Sequence, residues 1–167
     1  MLETDLLVIE NAALGKEPEN LRFREFLSDY GNEDVDAAVF RLNDTVSAAI
    51  DCTSCGNCCR SLMINVSDTD ASALSAHLGM TRELFEEKYV EKSPGGRMVV
   101  NRIPCHFLEG NRCSVYEHRF SGCREFPALH LPGFRERLFT TFMHYSRCPI
   151  IFNVVEGLKK EMGFEQP

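Results

Sequence analysis

No run of apolar residues in this chain approaches the roughly 18 that a membrane span needs. Basic charge is scarce as well: 18 Lys and Arg face 25 Asp and Glu, a net charge of -7. That balance argues against non-specific binding to nucleic acid or to an anionic membrane surface. The opening stretch, MLETDLLVIENAALGKE, carries acids where a signal peptide needs basic residues, and its apolar part is short. A cytoplasmic location is therefore expected. Internal repeats, linkers and low-complexity segments are absent. So are the compact signatures of familiar catalysis: no H-E-x-x-H pair, no Gly-rich phosphate loop, no serine in a nucleophile elbow. What remains is an ordinary globular composition, 44% apolar and 26% charged over 167 residues, enough for one domain with a real core.

Against that background the eight cysteines stand out. Four of them, Cys52, Cys55, Cys58 and Cys59, fall within the stretch CTSCGNCCR. Disulfides are a poor explanation. They are rare in a reducing cytoplasm, adjacent Cys58 and Cys59 could be bridged only with strain, and a chain of this size needs no stapling. Four thiolates crowded on one point repel by up to about 4 kcal/mol per pair at an effective dielectric near 20, so without a cation they stay protonated. Zinc or an iron–sulfur cluster removes that conflict. A C-x2-C pair in a tight turn offers two sulfurs to one centre, and Gly56 after Cys55 allows the backbone to turn sharply.

The other four cysteines are Cys105, Cys113, Cys123 and Cys148. Eight sulfurs suffice for two four-sulfur sites. One grouping follows the ferredoxin arrangement for a four-iron cluster: Cys52, Cys55 and Cys58 with remote Cys148, which precedes Pro149. Cys59, Cys105, Cys113 and Cys123 would then form a second site. Alternatively, Cys52 and Cys55 make a zinc knuckle with two distant partners. Arg60, Arg112, Arg124 and Arg147 each adjoin a cysteine, where guanidiniums would offset the site's negative charge and donate to sulfur. The five histidines could also ligate, but with eight thiols available no imidazole is needed.

Taken in order, CTSCGNCC, PCHFLEGNRCSVYEHR, CREFP and CP resemble the CxxCxxCC cysteine-cluster family, whose mostly bacterial members are described as zinc- or iron-chelating proteins. The resemblance runs from Cys52 to Pro149 and takes in all eight cysteines as metal ligands. It implies zinc or iron as the bound metal, with an iron–sulfur cluster as one form. One departure is visible: the family usually has proline after the arginine where this chain has Arg119 and Phe120. A related cluster occurs in larger flagellin lysine methylases.

The rest of the chain predicts an α+β fold, a small single domain over residues 1–167 with a helical N-terminal arm, short strands and metal-stabilised loops. The arm is residues 1–50, with helices at 20–29 and 33–50. The cysteine-cluster region is 52–149, and a C-terminal helix over 150–167 has Pro149 in its first turn. Between these, SLMINV predicts a short strand, Ser67 and Asp70 a helix start, and Gly79 its stop. Thr81 opens another helix, SPGGR is a turn, RMVVNRI a strand, HFLEGNRCSVY a hairpin and RLFTTFMHY a further strand. The function that best fits is a metal-binding protein with a structural, redox or metal-handling role. The alternative is a metalloenzyme akin to the cluster-containing methylases, but a catalytic zinc normally keeps one position open and eight thiols favour closed sites. Metal ions are the only partners implied.

Overall fold

The computed structural model describes residues 1–165, and its fold is α+β: mostly helical, with a few short antiparallel strands. The N-terminal helix α1 (Leu6–Phe26) begins well before residue 20. Asp5 starts it, its carboxylate accepting from the backbone N–H of Leu7 and Val8. A 3-10 turn at Leu27–Asp29 leads to α2 (Asn32–Ala49), which buries Val35, Ala38, Val39 and Val46 at helical spacing. Two short helical turns follow, α3 (Cys52–Cys55) and α4 (Asn57–Ser61), then strand β1 (Asn65–Val66). Helix α5 (Asp68–His77) starts at Ser67 as expected, through a capping box in which Ser67 Oγ accepts from Asp70 N–H and Asp70 accepts from Ser67 N–H. Thr81 caps α6 (Arg82–Tyr89). Next come β2 (Val90–Lys92), β3 (Met98–Val100), the hairpin β4 (Leu108–Glu109) and β5 (Arg112–Cys113), and a 3-10 turn at Tyr116–His118. The chain closes with α7 (Ser121–Glu125), α8 (Phe134–Phe142) and α9 (Pro149–Glu161).

These elements form two compact units. One combines Met1–Asp51 with Pro127–Pro167; the other is the continuous stretch Cys52–Phe126. In the first, α9 packs on α2 and α1, and α8 on α2, around buried Ile9, Phe23, Val39, Leu138, Val155 and Leu158. Gly157 is what allows the close approach of α9 to α2, since a Cβ there would lie 3.0 Å from a Leu42 methyl. An ionic group is buried in the same unit. Lys159 Nζ, 4% exposed, reaches Glu19 at 2.7 Å and Glu156 at 2.6 Å, while Tyr145 donates to Glu156 and Lys16 also pairs with Glu156.

Residues 137–145 do not form the expected strand. They belong to and follow α8, and the reason is tertiary: Asp36 of α2 accepts from the backbone N–H of Gly133 and Phe134 at 2.7 and 2.9 Å, capping α8 from another helix. The buried residues Phe134, Leu138 and Thr141 then fall on one helical face.

In the second unit β1, β3 and β2 make a three-stranded antiparallel sheet, Asn65 opposite Val99 and Val90 opposite Val100. Its core gathers Val66, Leu74, Phe85, Val100, Phe107, Val115 and Phe120. Cys105, Cys113 and Cys123 pack against that cluster, half-buried. Among the described residues no helix is long and apolar enough to cross a membrane.

Candidate metal centre

No disulfide joins any of the eight cysteines. Seven lie in the second unit, and the loop carrying four of them is shaped by Gly56. Its φ of +62° breaks α3 from α4 in a conformation that other residues adopt at a cost. A Cβ there would also sit 2.6 Å from the carbonyl oxygen of Asn111, so the β4–β5 turn presses directly on the loop. Arg60 fastens the two pieces. Its guanidinium donates to the carbonyls of Cys55 at 3.1 Å and Gly110 at 2.7 Å, and to the Asn111 side chain. This contact brings the strand bearing Cys113 to the turn bearing Cys58 and Cys59.

Two further backbone arrangements deliver the remaining thiols. Cys105 N–H donates to the Cys59 carbonyl at 2.8 Å, tying the segment after Pro104 to α4. Cys123 sits in α7, whose first turn is held by Asp70: Ser121 donates to it from N–H at 2.9 Å and from Oγ at 2.7 Å. Phe120, where the family usually has proline, adopts a φ of -54°, inside proline's own range. The turn is therefore kept, and the ring adds to the core beside Phe107.

The thiols sense one another. Cys59 and Cys123 each feel the charges of Cys58, Cys105 and Cys113, and Cys105 feels Cys58 and Cys113. Burial pushes Cys105 and Cys113 above the ordinary thiol range and Cys123 up to about 12. Cys58 and Cys59 share a hydrogen bond and shift in opposite directions, Cys58 down to about 6 and Cys59 strongly up. They are best read as one pair that loses its first proton early and holds the second. Five thiols from three separated segments thus share one region in which more than one negative charge is disfavoured. Cys55 is half-buried and Cys52 exposed, at the edge of the same unit; Cys148 belongs to the other unit, buried at the start of α9.

Among the described residues, no three His, Cys, Asp or Glu side chains are set as a finished ligand group. The fit to a metal therefore lies in donor chemistry: gathered soft thiols whose joint ionisation needs a cation. Two of the four sequence-adjacent arginines have backbone partners. Arg60 and Arg124 donate to backbone carbonyls, Arg124 to that of Arg119 at 2.6 Å. The positive charges that favour thiolates here come from Arg119, acting on Cys113 and Cys123, and from Arg102, acting on Cys105. Arg119 is fixed by its stack on Tyr116 at 3.9 Å. His106 is engaged elsewhere, with Nε2 2.6 Å from Asn101 Oδ1.

The sequence pattern of the CxxCxxCC family, described as a "putative zinc- or iron-chelating domain", matches residues 51–149. The chain belongs to the CxxCxxCC family. No curated protein and no solved structure matches it. The CxxCxxCC match covers all eight cysteines, across both units of the fold.

Proposed function

We propose that this CxxCxxCC protein binds zinc or iron through its eight cysteines, in a structural, redox or metal-handling role. The observation that carries the reading is the convergence of Cys58, Cys59, Cys105, Cys113 and Cys123, brought from three segments by backbone hydrogen bonds and the Gly56–Asn111 contact. A bound cation supplies the positive charge that lets these thiols ionise together. In this reading Cys59, Cys105, Cys113 and Cys123 hold one centre. By the ferredoxin-like spacing of the sequence, Cys52, Cys55 and Cys58 with Cys148 would hold a second, of the four-iron type. Arg102 and Arg119 offset part of the burial that opposes thiolates at Cys105, Cys113 and Cys123, Asp70 fixes α7, and Gly56 with Arg60 locks the loop on the hairpin. Eight cysteines without a disulfide suit a reducing compartment such as the cytoplasm. No observation favours the methylase-like alternative.

The deciding experiment is iron, zinc and sulfide content per chain after anaerobic purification, for the wild type and for Cys59→Ser, Cys105→Ser and Cys148→Ser. Cys59→Ser and Cys105→Ser should lose the same metal, and Cys148→Ser the other. Equal loss of all metal in every variant would mean one shared polynuclear site. A wild type with neither zinc nor iron would refute the reading.

A further inference from the structure

The second unit holds one more pair of metal-competent side chains, away from the cysteines. The imidazoles of His77 and His118 stack with centroids 3.7 Å apart and planes inclined by 22°. Both residues are exposed. His77 ends α5, and His118 ends the 3-10 turn at Tyr116–His118. His77 lies at the negative end of the α5 dipole, which favours a cation nearby.

The two pieces are held before any ligand arrives. Asp70 caps α5 through Ser67, and it also accepts both donors of Ser121, three residues past His118. Bringing the rings together therefore costs little further ordering. Two nitrogens on one ion, with bonds of about 2.1 Å, lie about 3 Å apart. Each ion–nitrogen bond lies in its ring plane, so rings stacked with planes only 22° apart must turn about their side-chain bonds until the planes open to roughly a right angle, a rotation that two exposed side chains can make. A pair of imidazoles without thiolate suits late first-row divalent ions, whose affinity rises towards nickel and copper.

The geometry points to a second metal site, in which His77 and His118 jointly bind a late first-row divalent cation such as Ni2+ or Zn2+, with water completing the shell. It is independent of the thiol centre: it uses different donors and would persist whatever the cysteines hold.

The test uses the full chain, purified anaerobically with its own metal in place, and adds Ni2+ while the histidine ring protons are followed by NMR. One equivalent should broaden the signals of His77 and His118 together, with the iron and zinc content unchanged. His77→Gln and His118→Gln should each weaken nickel binding about ten-fold or more, because only one arm of the chelate remains. His130→Gln, an exposed histidine in the other unit, should change nothing. Circular dichroism on each variant checks that the fold is kept. Equal nickel affinity in wild type and both variants would overturn the site, as would no uptake of nickel or uptake only by displacement of the resident metal.

Discussion

Asp70 takes both donors of Ser121, N–H at 2.9 Å and hydroxyl at 2.7 Å, while forming the capping box of its own helix with Ser67. One buried carboxylate thus sets the start of α5 and the start of α7, the element that carries Cys123. Asp70→Ala should cost about 2 kcal/mol, from the lost cap and the lost charged hydrogen bonds. It should also lower metal content, because Cys123 loses its support. Denaturant melting together with metal analysis checks both.

The same carboxylate gives a pH dependence. Burial works against the Asp70 charge, but the donors from Ser121 and Ser67 outweigh it and hold the group below the usual carboxylate range. A depressed folded value means that this stability is fully present above the unfolded pKa, near 4. It is lost as pH falls through the folded value. Wild-type stability should therefore decline below about pH 4 more steeply than that of Asp70→Asn. Parallel acid titrations of the two would sink this account if the slopes matched.

Gly56→Ala should be among the most damaging single-methyl changes. It combines a backbone at φ +62° with a contact of 2.6 Å to Asn111 oxygen. The left-handed conformation alone costs about 1–2 kcal/mol, and the hairpin must also move away. Metal per chain and melting temperature should both fall, whereas Gly79→Ala, at φ +66° with no atom near its Cβ, should show the backbone cost alone.

Removing metal with a strong chelator should act unevenly. Structural thiolate sites contribute on the order of 10 kcal/mol to folding, so amide exchange in Cys52–Phe126 should accelerate sharply. The helices α1, α2, α8 and α9 have their own core and should keep most of their protection. Uniform acceleration, or none, would contradict the two-unit description.

Lys159→Ala offers the converse. It removes the buried one of the two lysines that Glu19 and Glu156 share, Lys16 remaining, so the loss should stay below the roughly 3–5 kcal/mol of a buried charge left wholly unpaired. Metal content should not change so long as the variant folds, which urea melting and metal analysis would establish side by side.

Much of this architecture was legible in the sequence because its signals are local. Ser67 with Asp70, Thr81, the Glu109–Gly110–Asn111 turn and Pro149 all act within a few residues of themselves, and each element starts or turns where they put it. The failures have non-local causes. RLFTTFMHY looks strand-like until Asp36, some hundred residues earlier, caps Gly133 and Phe134. The first turns of α1 were hidden by Pro18 and by a polar, weakly patterned sequence. At the site, the eight cysteines were plain, but adjacency did not reveal Arg102 and Arg119. Arg60 serves the hairpin, while Cys105 feels the charge of Arg102, and Cys113 and Cys123 that of Arg119. Which residue stands next to which in the chain says little about which charge faces which sulfur.

The division of the chain also orders events in time. The helical unit is assembled from both halves of the sequence, Met1–Asp51 and Pro127–Pro167, whereas the cysteine-rich unit is one uninterrupted stretch. As the polypeptide emerges from a ribosome, Cys52–Phe126 is complete before α8 and α9 have been synthesised. Seven of the eight thiols are thus in place on a nascent chain whose other unit still lacks half its helices, and Cys148 is the last to arrive.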